Sequence, residues 1–372
     1  MVAVGQVGRV EMREFLFQMF DVLDVGSLVA WPRYRQHSEA SLQAIVETFA
    51  RLASGRNGPG REPADVLAQA SGDVVPEPIL TLGNGLYQAD GQQSRLFRTR
   101  SEDTLGQGMH AILTVWQALR HAVTAMEPDR LNAPEAADLR DRLLNAKACC
   151  EAGLAMALQG ALLTDSVDNH PDEAQRQNSQ RLLAFLEPVL AWWPLQAAWQ
   201  ASVSLGQDTV RMPDPALVSD HAREFLGQRV WAHQSHGLQL FLQTLQGDLE
   251  AAATEDTRQW ALSLSETLQH AVKVTQTLGR ELQTGSSQRV LANAGRYLHL
   301  FGEIVAGWMW LRQANAAAAM LSDPSPEARA FAAGKLQAAR YFFHRTLPAV
   351  AQDLVLLQNQ DATSFDMQAA WY

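Results

Sequence analysis

Apolar side chains recur at helical spacing from Thr104 almost to the end of the chain, and this periodicity most constrains the fold. Residues three or four apart lie on one face of an α-helix, so the pattern predicts amphipathic helices. Turn-forming or proline-containing segments interrupt it and delimit about seven or eight helices. These breaks lie at 128–134, 170–171, 211–215, 284–287 and 322–326. The sequence therefore predicts an all-α architecture.

Two apolar stripes indicate how the C-terminal helices are expected to pack. Gly302 and Ala306 lie on the first helix, where small residues would let a neighbouring helix approach closely. The second helix is expected to begin at Asp323-Pro-Ser-Pro-Glu-Ala, because proline loses no intrahelical hydrogen bond in a first turn. The stripes are Ala294, Leu298, Phe301, Val305, Trp308 and Leu311, followed by Leu336, Ala339, Phe343, Leu347, Val350, Leu354 and Leu357.

The N-terminal part is less regular. Val10–Leu52 has the spacing of two helices, whereas residues 54–104 are rich in turn-forming glycine, proline and asparagine. We expect a long connection there, with a short strand or hairpin around Ile79–Leu86 and Ser94–Thr99. Within it, Gly83-Asn-Gly85 is interpreted as a turn signal.

Length and composition are those of a globular chain that can bury one large core or two moderate ones. The 372 residues are 47% hydrophobic, and 40 acidic against 30 basic side chains give a net charge of -10, which disfavours nucleic acid and anionic membranes as partners. No apolar run reaches the roughly 20 residues of a membrane span, and the N-terminus lacks signal-peptide features, so we expect a cytoplasmic protein. The two cysteines, Cys149 and Cys150, are expected to be reduced thiols on a helix.

Several segments carry a family resemblance. Val290–Arg312, which contains Arg-Tyr-Leu-His-Leu-Phe-Gly-Glu, and Gly334–Pro348 resemble the C-terminal extension of the large bacterial acyl-CoA dehydrogenases, including the methylmercaptopropionyl-CoA type. Met12–Asp24 is similar to the opening of these enzymes, and Thr104–Met109 to a Gly-Gly-Gln-Gly turn of their N-terminal domain. Leu143–Trp193 resembles the first two long helices that follow their β-barrel.

This resemblance implies multi-helix bundles like the N- and C-terminal domains of the family, without its middle β-domain. Between residues near 126 and 135 the chain passes directly from an N-terminal-domain helix to a post-barrel helix. We therefore expect a helical region at 1–130 that holds the 54–104 loop, a dehydrogenase-like bundle at 131–253 and a C-terminal extension at 254–372. In the family, the β-domain lines the flavin and the acyl thioester with a Thr-Glu-Pro and a Gly-Ser-Asp stretch, both of which this chain lacks.

Two further family motifs are altered. Where the family has His-Gly-Gly-Met-Gly-Tyr beside the flavin, this chain reads Ser204–Val210. Over the family's base motif, Ile-Tyr-Glu-Gly-Thr-Asn-Gly-Ile-Gln, the resemblance puts Val230–His236, with Ala232 or His233 at the glutamate position. A histidine is a possible general base, and His233 and His236 have the spacing of two metal ligands on one helix face, but no flavin wall or third ligand accompanies them. We assign no catalytic, cofactor-binding or metal residue.

These coordinated losses favour a noncatalytic scaffold or accessory subunit, a pseudoenzyme of fatty acid metabolism for which no cofactor is expected. It would assemble with itself or with a full-length, flavin-dependent acyl-CoA dehydrogenase, since the family commonly dimerises through the retained helical domain. The alternative is a divergent FAD-dependent acyl-CoA dehydrogenase, acting on CH–CH groups, with relocated catalytic residues. A small-ligand sensor is a third hypothesis without a specific feature. The tryptophans Trp192, Trp193, Trp308 and Trp310 are expected in a core or an interface.

Overall fold

The chain is helical throughout the part that the structure describes. The computed structural model describes residues 12–53, 75–89, 105–208, 210–285 and 287–371. Helices and the turns between them account for these residues, and they contain no β-strand. The all-α class predicted from the periodicity is confirmed. Within the same residues, no helix combines the length and the apolar content that crossing a bilayer requires.

Two compact units divide the chain. The first comprises Met1–Leu183 and Pro194–Met212, and the second comprises Ala184–Trp193 and Pro213–Tyr372. The limits predicted from the sequence, near 130 and 253, fall inside these units. The long helices are α1 (Glu39–Ala53), α2 (Glu77–Ala89), α3 (Leu105–Thr124), α4 (Ala137–Asn169), α5 (Glu173–Ser204), α6 (Pro215–Gly227), α7 (Ala232–Glu250), α8 (Glu255–Gln283), α9 (Ala294–Ala319), α10 (Pro326–Tyr341) and α11 (Ala351–Gln358).

Side chains at the helix starts define several of these boundaries. Asp172, Asp214 and Ser325 each accept a hydrogen bond from a backbone amide of the first turn, and Thr254 forms a reciprocal capping box. Such a cap typically stabilises a helix by about 1 kcal/mol. Ser325 is followed by Pro326 in the first turn of α10, so the helix start predicted from Asp323-Pro-Ser-Pro is confirmed. Each predicted break lies at or beside one of these helix ends.

Helix α2 corrects the prediction for the N-terminal connection. The structure is helical over Glu77–Ala89, so the strand expected at Ile79–Leu86 is wrong, and residues 54–104 are not one continuous loop. The partner strand at Ser94–Thr99 lies outside the described residues. The apolar side chains of α2 are spaced by three or four residues, which is a helical period. Those that are buried in the first unit include Ile79, Leu82 and Leu86.

The two glycines that suggested a turn lie inside α2, where they permit close helix packing. A Cβ atom on Gly83 would lie 2.8 Å from the Phe49 ring, and one on Gly85 would lie 2.5 Å from Cγ of Met109. Both distances are shorter than carbon–carbon contact allows. Glycine is needed at these positions so that α1 and α3 can approach α2, and it does not break the helix. The turn was predicted only because glycine and asparagine are common in turns.

Helix α9 is the centre of the second unit. It contacts α6, α7, α8, α10 and α11, and every residue from Leu300 to Leu311 is buried. Over Leu300–Leu311 the helix that carries the predicted stripe is therefore enclosed on all sides, as expected for a core helix. Gly302 confirms the predicted close approach, because a Cβ atom there would lie 2.5 Å from Cδ1 of Trp193. The four tryptophans predicted in the core, Trp192, Trp193, Trp308 and Trp310, are all buried.

Candidate functional site

The segment aligned with the family's base motif forms a sharp turn. A 3-10 turn at Arg229–Trp231 leads into α7, where His233, Gln234 and Ser235 have φ angles of 49°, 59° and 61°. The left-handed region costs a residue with a side chain roughly 1–2 kcal/mol. This turn interrupts the single helix face on which the sequence placed both His233 and His236 as possible metal ligands.

The aligned glutamate position in this turn is exposed to solvent. Ala232 and His233 are exposed, and His236 is half-buried. Trp231 anchors the turn against α8, where a Cβ atom on Gly279 would lie 2.6 Å from the indole ring. Over the described ranges, no three His, Cys, Asp or Glu side chains are grouped as metal ligands. The pair of histidines therefore has no third protein ligand within this part of the chain.

The segment aligned with the family's flavin motif ends helix α5. Gly206 has a φ of 69°, a value that favours glycine, and the hydroxyl of Ser202 donates a hydrogen bond of 2.7 Å to the carbonyl of Gln207. Residue 209 lies outside the described residues. The glycine of this segment thus serves as the cap of a helix C-terminus.

Charged side chains gather elsewhere, between α9 and α11 of the second unit. We call this the His299 cluster; it comprises Arg296, His299 and Glu303 of α9 and Asp353 of α11. The Nδ1 atom of His299 lies 2.7 Å from Oδ2 of Asp353, and its Nε2 atom lies 3.6 Å from Oε1 of Glu303. Arg296 donates to the other oxygen of Asp353 at 3.1 Å, and the indole of Trp193 donates to Glu303 at 3.0 Å. When the imidazole is protonated, the positive charges of His299 and Arg296 balance the negative charges of Glu303 and Asp353.

Burial and charge act in opposite directions on these groups. Burial lowers the pKa of His299, but the hydrogen bond to Asp353 and the charge of Glu303 outweigh it, so this pKa lies above its ordinary value. Burial raises the pKa of Glu303, and the nearby His299 opposes that shift only in part. The pKa of Asp353 lies below its ordinary value, because the bonds from His299 and Arg296 outweigh its burial.

The spacing within α9 is a signal that the sequence analysis missed. Arg296, His299 and Glu303 are separated by three and four residues, which puts three polar side chains on one face of the helix, and two of them interrupt the otherwise apolar stretch Leu298–Leu311. Asp353 similarly interrupts the apolar stripe of the last helices. The contact between these two interruptions depends on tertiary packing.

A second polar cluster lies in the first unit. Tyr34 donates a hydrogen bond to Oδ1 of Asp165, and Asn169 donates to the same oxygen at 2.7 Å. Burial raises the pKa of Asp165, and burial together with the Asp165 charge raises that of Tyr34. These side chains, with Arg33 and Glu77, line an open cleft of about 400 Å³. The hydrogen bond from Tyr34 to Asp165 joins the segment that precedes α1 to helix α4.

The two cysteines lie on α4. Both Cys149 and Cys150 are thiols, as predicted, and Cys150 is fully buried. Burial raises the pKa of the Cys150 thiol well above its ordinary value. The neutral thiol is therefore the favoured form, and Cys150 acts as a small apolar core residue.

Comparison with known families adds an independent observation for the second unit. Residues 241–368 match the family model described as acetyl-CoA dehydrogenase C-terminal like. No curated protein matches the chain. The matched residues include α8 to α11 and therefore the whole His299 cluster. This match supports a relationship to the acyl-CoA dehydrogenases, and the C-terminal third of the chain is similar to their C-terminal domain.

Proposed function

We propose that this chain is a noncatalytic, acyl-CoA dehydrogenase-related scaffold that assembles with itself or with a full-length, flavin-dependent acyl-CoA dehydrogenase. The observation that carries the proposal is the exposed turn at Ala232 and His233, where the resemblance aligns the catalytic glutamate. General-base catalysis needs a basic group held within hydrogen-bond reach of the substrate proton. A solvent-facing turn without a carboxylate lacks that arrangement.

The connection between α3 and α4 is consistent with this role. Residues 125–136 link the two helices through short helical turns at Pro128–Asn132 and Pro134–Ala136. In the family, the resemblance places the β-domain that lines the flavin at this point of the chain. The short link therefore supports a scaffold without that wall of the pocket.

The buried carboxylates of the second unit are also committed to internal contacts. Glu303 accepts from Trp193, and Asp353 accepts from Arg296 and His299. Carboxylates that satisfy internal donors stabilise packing between helices. This use of Glu303 and Asp353 favours a structural role for the domain that matches the dehydrogenase family.

Assembly is tested by measuring the mass of the intact complex. The purified chain should form an oligomer in native mass spectrometry, or it should capture a flavin-containing acyl-CoA dehydrogenase from the native host. A strictly monomeric protein that captures no dehydrogenase would refute the proposal. The absorption spectrum separates the alternative: flavin bands that bleach when acyl-CoA is added would establish a redox enzyme.

We propose that two exposed apolar side chains contribute to the assembly surface. Leu262 of α8 is 60% exposed and Val355 of α11 is 52% exposed, and these two helices contact each other. Exposed apolar surface is characteristic of protein interfaces. Replacing both residues with glutamate should reduce the assembled fraction without unfolding the chain. Leu217→Glu, at a position of α6 that is 50% exposed, is the matched control.

A further inference from the structure

The His299 ring meets a carboxylate at each of its two nitrogen atoms. Asp353 lies 2.7 Å from Nδ1, and Glu303 lies 3.6 Å from Nε2. A neutral imidazole has one N–H and one lone pair, whereas the imidazolium has an N–H on both nitrogens. Either neutral tautomer would direct a lone pair at a carboxylate oxygen. The geometry therefore suits the imidazolium.

The charges around the ring lead to the same conclusion. Facing His299 are Arg296 and Glu303 from its own helix, Asp353 from α11, and the uncharged ring of Trp192 from α5 at 6.0 Å between centroids. Glu303 and Asp353 are each only 7% exposed. When Glu303 is ionised, the two buried carboxylates beside a single arginine leave one negative charge without compensation, and this is costly in a core. Protonated His299 supplies the missing positive charge.

Helix α11 is the element that this contact holds. It spans Ala351–Gln358 and packs on α8 and α9 through Leu354 and Leu357. It follows α10 through the helical turns at Phe342–Thr346 and Leu347–Val350, and its docking depends on these tertiary contacts. Asp353 provides its ionic contact to α9. Weakening that contact favours local opening of α11 while the rest of the unit stays folded.

We propose that His299 is a protonation-controlled latch, which docks helix α11 on α9 when the imidazole is charged and loosens it when the imidazole is neutral. The upward shift of the His299 pKa agrees with this geometry. A histidine with a raised pKa in the folded state stabilises that state fully below its unfolded pKa. This contribution is lost as the pH rises through the folded value. The latch is thus closed in mildly acidic solution, whether or not the chain assembles with a dehydrogenase.

Hydrogen exchange of the full chain measures the latch directly. After correction for intrinsic exchange rates, the amides of Ala351–Gln358 should open about fivefold more at pH 8.5 than at pH 6, as expected for a partly exposed ion pair. His299→Gln should show the more open value at both pH values. His299→Lys keeps the positive charge and should show little dependence on pH.

A second histidine that contacts α11 provides the matched control. His270 of α8 contacts the side-chain amide of Gln358 at 3.1 Å, so it reaches α11 without a carboxylate partner. His270→Gln should keep the pH dependence of the wild type. Equal protection of α11 at both pH values in the wild type, or loss of the dependence in the His270 variant, would overturn the proposal.

Nuclear magnetic resonance of the histidine ring protons covers the case in which the His299 variants do not fold. In the wild-type protein, the His299 resonance should titrate above pH 6.5, the ordinary value for histidine. Amide shifts of Ala351–Gln358 should follow the same titration curve. A His299 pKa at or below the ordinary value, or amide shifts of α11 that are independent of it, would refute the latch.

Discussion

Replacing Gly302 with alanine should destabilise the second unit, although alanine is the better helix former. The added Cβ atom would lie 2.5 Å from Cδ1 of Trp193 and 3.0 Å from Cζ3 of Trp192. Both indoles are buried, so neither ring can move into solvent. Overpacking of a well-packed core costs about 1–3 kcal/mol. Alanine in place of a mid-helix glycine returns about 0.5–1 kcal/mol. The difference is a net loss of up to about 2.5 kcal/mol.

The displacement would also disturb a polar contact. Trp193 donates its indole N–H to Glu303 at 3.0 Å, and Glu303 belongs to the His299 cluster. Shifting the indole leaves a buried carboxylate with a weaker donor, which adds to the cost. The effect on stability should therefore lie at the upper end of that net range.

Urea unfolding followed by circular dichroism measures the change. Gly334→Ala, in the middle of α10, is the matched control, because no atom outside its own helix backbone lies within 4 Å of the added Cβ. The control should gain about 0.5–1 kcal/mol of unfolding free energy, so the two variants should differ in sign. The reasoning fails if Gly302→Ala is as stable as Gly334→Ala, since the tryptophans would then not restrict this position.

Three further predictions concern polar contacts. Tyr34→Phe should lower the unfolding free energy by about 1–3 kcal/mol, because the buried Asp165 loses a donor; calorimetry measures the change. Ser325→Ala removes the cap of α10 and should cost about 1 kcal/mol in urea unfolding, whereas Ser325→Asp should be close to wild type. Glu303→Gln keeps an acceptor for Trp193 but removes a carboxylate with a raised pKa. In the wild type, unfolding free energy is lost above pH 4.5 as this carboxyl group ionises. The variant should keep it, so its unfolding free energy should depend less on pH.

Local chemistry predicted much of the architecture. The proline and capping residues before α10 predicted its start, and the three- and four-residue spacing from Ala294 to Leu311 predicted a helix with a packed apolar stripe at α9. These features depend on local backbone geometry and on the periodicity of apolar residues, and short stretches of sequence are enough to specify both. Composition misled the prediction at Gly83 and Gly85, because glycine is used both in turns and at close helix contacts.

The alignment over the family's base motif gave the identity of the residues but not their conformation. The resemblance predicts that Ala232 or His233 replaces the glutamate, and this prediction comes from the sequence alone. Helical periodicity suggested that His233 and His236 share a face. The structure instead has three left-handed residues there, which local propensity disfavours and surrounding contacts must stabilise.

The sequence by itself determined the helical class and most helix boundaries. Tertiary structure alone decided that Asp353 meets His299, and that Tyr34 meets Asp165. The first two residues are 54 positions apart along the chain, and the second two are 131 positions apart. No local periodicity extends over such distances, and the pairing follows from how the helices pack. The charge state and contacts of a buried side chain are consequently properties of the folded chain.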